Sequence, residues 1–190
     1  GKGPINSLLA RDLRDAATEM DAHEVALALS SRIAEPTDED LAVKTRILYR
    51  LGRPEDAGKT AAGISDSARE ADPFLRLITS YRALVAKEPG ARQAMRALLE
   101  DTTPFGQLDP VLVVNALVRA GMADKISQTL RPLLEAEPYD AYTFHRLALA
   151  VGKSQANRHL YDRLMAAVSL VDPRGALRET PRKDRPLAQW

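Results

Sequence analysis

The chain has no cysteine among its 190 residues, few aromatics (5%), and a formal net charge of only +1. Without cysteine there is no disulfide framework, no thiolate nucleophile and no cysteine-ligated metal. The balance of 27 basic and 26 acidic side chains argues against a chain built to neutralise many phosphates, so no nucleic-acid partner is expected. No apolar run of about 18 residues occurs, so no membrane span is expected. Strand signals are also missing: there is no sustained two-residue alternation and no Asn-Gly or Asp-Gly turn. Gly1-Lys2-Gly3-Pro4 has neither an initiating Met nor an apolar leader, and the expectation is an excised or processed piece. The compartment stays open between cytoplasm and periplasm.

What the chain has is alanine and leucine, 30 and 26 residues respectively. These are the strongest helix formers. Ile5, Leu8, Leu9, Leu13 and Ala16 recur at helical spacing, as do Val111, Val114, Leu117 and Val118. Leu130, Leu133 and Leu134 follow suit, with Pro132 among them as a kink. Punctuation marks the boundaries. The acids Asp38-Glu39-Asp40 suit a helix start, Gly52 a helix end, Pro54 the first turn of the next helix, and Asp109-Pro110 opens a helix closed by Gly121. Arg69-Glu70-Ala71-Asp72 reads as a solvated helix end. The fold class expected is all-α.

Prolines after an acid or threonine fall at Pro36, Pro73, Pro104, Pro138 and Pro173, spaced by 37, 31, 34 and 35 residues. Between them lie Gly52, Gly90, Gly121 and Gly152. Proline stops a helix and glycine permits the left-handed turn that ends one, so the pattern predicts helix, turn, helix, turn, four times over. A further N-terminal pair, near residues 5 to 35, has no mid-repeat glycine. An irregular helical bundle is the alternative arrangement.

A helix-turn-helix unit of about 34 residues resembles the tetratricopeptide repeat. The resemblance rests on Leu41, Leu48, Gly52 and Ala57 in one unit, and on Leu117, Gly121, Leu130 and Pro138 in another. The stretches around Gly90 and Gly152 match less well. What the resemblance implies is a right-handed superhelical array of about five antiparallel helix pairs, an α-solenoid, over residues 5–173. Residues 174–190 form a basic, proline-containing tail or linker.

The resemblance further implies a concave groove lined by the first helix of each pair. Carried onto this sequence, the lining positions are Arg46, Tyr49, Arg50, Tyr81, Asn115, Arg119, Tyr142 and Arg146. Arginine grips carboxylates in two-pronged fashion, asparagine can pair with an extended backbone, and tyrosine offers rigid contact area. That set suits an acidic peptide or protein partner. The alternative for the arginines is a solvated helix face. Only Asn115 matches the residue set of chaperone-tail binders, so such a tail is not expected. Self-association through exposed end repeats is a further expectation.

Catalysis finds little support. His23, His145 and His159 have no metal-ligand spacing, and His145 is expected to pack between helices. There is no GxGxxG, GxxxxGK[ST] or GxSxG motif, and no carboxylate pair stands out. No catalytic residue, metal or cofactor is expected. The function expected is a non-catalytic protein-interaction scaffold. The alternative is a helical accessory or regulatory domain of a larger enzyme, or of a bacterial envelope-assembly machine.

Overall fold

A computed structural model describes residues 6–100, 108–130, 141–152 and 155–171, together with backbone only at 141, 142, 156 and 171. All regular structure among these residues is helical. The order is α1 (Ser7–Glu19), α2 (His23–Ser30), α3 (Asp38–Arg50), α4 (Pro54–Ala61), α5 (Asp66–Ala71), α6 (Pro73–Val85), α7 (Ala91–Glu100) and α8 (Pro110–Ala120). After a 3-10 turn at Ala123–Lys125 come α9 (126–130), α10 (Ala141–Val151), a 3-10 turn at Gln155–Asn157, and α11 (Arg158–Val171). The chain divides into two compact units, Gly1–Arg82 and Ala83–Trp190. Pro104, Pro132, Pro138 and Pro173, and the tail 174–190, lie outside the described residues.

In the first unit α1 packs on α2, α2 on α3 and α3 on α4. The contact surfaces are small residues that let backbones approach. Ala17 and Ala26 meet Ile47 of α3, with Leu27, Leu29, Val43 and Leu51 packed around them. Helix α1 and helix α3 are each 13 residues long, α2 and α4 each 8, and both pairs of starts are 31 residues apart. The start of α3 is set by a capping box. The Asp40 N–H donates to Thr37 Oγ1 (3.3 Å), while the Thr37 N–H donates to Asp40 Oδ2 (3.0 Å). The acids Asp38-Glu39-Asp40 thus open a helix, as their positions predict.

The second helix of this pair is interrupted. Helix α4 stops at Ala61, and the short α5 begins behind Ser65, whose hydroxyl accepts from the Ala68 N–H at 3.4 Å. Ser65 also donates its N–H and its hydroxyl to the Asp38 carboxylate, holding that group below the usual aspartate pKa. Gly58 of α4 faces Arg82 of α6 so closely that a Cβ at residue 58 would lie 2.8 Å from the Arg82 Cβ. Glycine is what permits this approach.

In the second unit α8 is buried around nearly its whole circumference, from Pro110 to Leu117 and at Ala120. A helix apolar on all sides belongs in the middle of a core. It packs against α7 and α10, and α10 packs on α11. Met95, Leu99, Met122, Ile126, Leu147 and Leu164 are buried in the same unit. His145 is buried in α10, in keeping with the packing role expected of it.

Four of the turns between helices repeat one device. The N–H groups of Ala22, Arg53, Glu88 and Met122 each donate five residues back, to the carbonyls of Ala17, Leu48, Ala83 and Leu117, at 2.8 to 3.0 Å. The residue before each donor is left-handed: Asp21 (φ 56°), Gly52 (70°), Lys87 (57°) and Gly121 (76°). This is the Schellman closure of a helix end. It corrects the expectation that Gly90 and Gly152 make such ends, and shows how the N-terminal pair closes. The N-terminal pair, which lacks a glycine, uses Asp21 instead. Gly90 is left-handed too (φ 76°), but it precedes α7; the turn that closes α6 is made by Lys87. Gly152 is not among the left-handed residues.

Candidate functional site

Helix α3 places Arg46 and Tyr49, about one turn apart, beside the start of α6. The Arg46 guanidinium donates to Asp72 Oδ2 and lies 5.3 Å from the centre of the Phe74 ring. Tyr49 meets the same ring edge-on, with centroids 5.4 Å apart and planes at 74°. Asp72 is more than a counter-ion. Its Oδ1 accepts from the Phe74 N–H (2.9 Å) and from the Leu75 N–H (3.3 Å), capping α6. The expected solvated end at Arg69–Asp72 is therefore the join between two helices, and the cation of α3 is fixed onto it.

Exposure divides the eight groove candidates. Tyr49 (5% exposed) and Tyr81 (3%) are buried in the first unit, Tyr81 among the core residues of α6. Arg46 is 44% exposed despite its ion pair, and Arg50 is 58% exposed. Arg50 stands 3.7 Å from the carboxylate of Asp21, the left-handed turn residue, and His23 Nε2 lies 3.6 Å from the same oxygen. In the second unit Asn115 is buried and donates its side-chain N–H to the Val111 carbonyl at 2.9 Å. Arg119 is exposed on the last turn of α8. Arg146 is almost covered, and donates to Asp109 Oδ2 at 3.0 Å. The Tyr142 side chain lies outside the described residues.

Asp109 repeats the role of Asp72. Its Oδ1 accepts from the Val111 N–H (2.9 Å) at the start of α8 while Oδ2 receives Arg146 of α10. A third carboxylate is engaged further still. Asp40 is almost wholly buried and accepts from Arg11 through Nε (3.0 Å) and Nη2 (2.8 Å), and from Arg14 Nη1 (2.7 Å). The Arg11 guanidinium, more than any other neighbour, holds the Asp40 carboxyl far below the ordinary aspartate range. Every hydrogen-bonding direction of this carboxylate is used by α1 or by the α3 cap, so it serves structure and offers nothing to a ligand.

Sequence reasoning missed Asp21, Asp72 and Phe74. For Asp72 a signal existed: an aspartate directly before Pro73 is a strong helix-cap pattern. For Asp21 none did, since a left-handed aspartate has no sequence marker apart from its distance to Gly52. Among the described residues there is no cluster of three or more metal-ligating side chains, and no helix is long and apolar enough to cross a membrane. No protein-family model, curated protein or solved structure matches this chain.

Proposed function

We propose that the protein is a non-catalytic interaction module of tetratricopeptide-like helix pairs that binds an acidic peptide segment of a partner protein. The observation that carries this reading is the recurrence of one closed helix end, at Asp21, Gly52, Lys87 and Gly121, between successive helices. Chains built from stacked helix pairs cannot bury the apolar stripe of one pair alone, and the surfaces they leave open are used for binding. Each unit offers its own anchors, the accessible cations of its first helices: Arg50 and the half-exposed Arg46 in the first unit, Arg119 in the second. Tyr49, Tyr81 and Asn115 act beneath them by packing, because their polar atoms are largely withdrawn from water.

Charge reversal of the two exposed arginines tests this. The probe is a fluorescent peptide of alternating glutamate and tyrosine with a free C-terminus, followed by anisotropy. The intact chain should bind it, and Arg50→Glu with Arg119→Glu should weaken binding about tenfold or more, with helicity unchanged. Equal affinity for the double variant would remove both arginines from the proposal. No binding by the intact chain would remove the acidic-peptide specificity.

A further inference from the structure

Helix α1 carries an apolar stripe that its own unit does not cover. Leu9 and Leu13 are half-exposed and Met20, at the C-terminal cap, is 79% exposed. At 100° per residue Leu9, Leu13, Ala16 and Met20 fall within an arc of about 60°. Val25 of α2, also exposed, adds to the apolar surface of the hairpin. The side of α1 that is buried, through Ala10, Arg14 and Ala17, lies next to this strip, about 100° round the helix. Leu8 is exposed as well, about 100° round the helix on the acidic side, but Leu9, Leu13 and Met20 share one strip, and aliphatic side chains gathered in this way mark an interaction surface.

The 31-residue correspondence between α1 and α3 says what such a strip does. Leu9, Ala16 and Met20 correspond to Asp40, Ile47 and Leu51. Those three residues of α3 face the preceding hairpin: Asp40 holds Arg11 and Arg14, Ile47 packs on Ala17 and Ala26, and Leu51 packs against the same cluster. In α3 this face is filled by helices. In α1 the equivalent face is open, and it is more apolar, with leucine where α3 has a buried aspartate.

Charge selects the occupant. The same helical arithmetic puts Asp12, Asp15 and Glu19 along one flank of the strip, all exposed. The only cations of α1, Arg11 and Arg14, point to the other side, onto Asp40, with Arg14 also reaching back to Asp15. Two copies meeting with their α1 helices antiparallel through this face would bring acidic flanks together. We infer that the Leu9–Leu13–Met20 strip of α1 is a docking face for an amphipathic helix of a partner protein, apolar on one side and lysine- or arginine-rich beside it.

The test uses the full chain and a labelled peptide of about 14 residues, with leucine at helical i, i+3, i+4 and i+7 spacing and lysine elsewhere. Its controls are a peptide of the same composition with the spacing scrambled and one with glutamate replacing lysine. The helical lysine peptide should bind best. Leu9→Gln with Leu13→Gln, both at exposed positions, should weaken it about tenfold with circular dichroism unchanged, and Asp12→Asn with Glu19→Gln should lessen its salt dependence. Arg50→Glu with Arg119→Glu should leave it unaffected, which separates this face from the acidic-peptide anchors. Absent binding, equal binding of the scrambled peptide, or an unchanged dissociation constant for the leucine variant would overturn the inference. So would light scattering that finds a dimer of the intact chain which the leucine variant dissolves, because the occupant would then be a second copy.

Discussion

Arg46 and Asp72 are 26 residues apart and joined by a direct ion pair, while the other oxygen of the same aspartate caps α6. One carboxylate therefore does local and long-range work at once. Asp72→Ala should lose both and cost about 1–2 kcal/mol in urea unfolding, the range of a lost helix cap. Arg46→Met removes only the pair and the contact with Phe74. With the guanidinium 44% exposed and screened by water, that should cost less than about 1 kcal/mol. Equal costs for the two variants would mean that the cap contributes nothing of its own.

Asp40 should dominate the acid sensitivity of the first unit. Its folded pKa is depressed, chiefly by Arg11, so its contribution is complete above the ordinary aspartate value of about 4. It is lost progressively as the pH falls below that value toward the folded one. Asp40→Asn should therefore flatten the decline of stability between about pH 4 and pH 2. At pH 7 the same variant should cost about 3 kcal/mol or more, since it takes the buried carboxylate from Arg14 and leaves it only the exposed Asp15. Chemical denaturation across this pH range checks both parts.

Lys87→Gly should stabilise the protein by about 0.5–1 kcal/mol, because a lysine with φ 57° bears a left-handed penalty that glycine escapes. Gly121→Ala should do the reverse, costing about 1 kcal/mol, purely through the backbone. There is open space around residue 121 for the added methyl. Asp21→Gly is the mixed case, relieving the backbone but removing the carboxylate near Arg50 and His23. Thermal unfolding of the three variants orders them.

Gly58→Ala ought to gain about 1 kcal/mol from helix propensity alone. Here it should lose instead, by about 1 kcal/mol net or more, because the new methyl would sit 2.8 Å from the Arg82 Cβ. That atom is fixed to the backbone of α6 and cannot swing aside. A rise in stability would mean that α4 and α6 separate at little cost.

The helical class and several boundaries were legible because they depend on local chemistry. Asp109-Pro110 and Gly121 bracket α8, and Gly52 with Pro54 divides α3 from α4, as glycine and proline geometry requires. Lys87 and Asp21 were not legible, since tertiary packing imposes left-handed backbone on residues that do not ask for it. The break between α4 and α5 was missed for a related reason. Ser65 is bound by Asp38, 27 residues earlier, and no local pattern carries that contact. At the candidate surface, residue type pointed to arginine. Only the structure separates Arg50 and Arg119, which are exposed, from Arg146, which is almost covered.

The pair of Arg146 and Asp109 has a kinetic meaning. Helix ends ordinarily fray, and their first amide protons exchange with water long before the core opens. The Val111 amide is held by an aspartate that α10 holds in turn, across 37 residues. The beginning of α8 can then come loose only when α10 lets go. Its amide should exchange on the slow clock of the second unit rather than on the fast clock of a helix terminus.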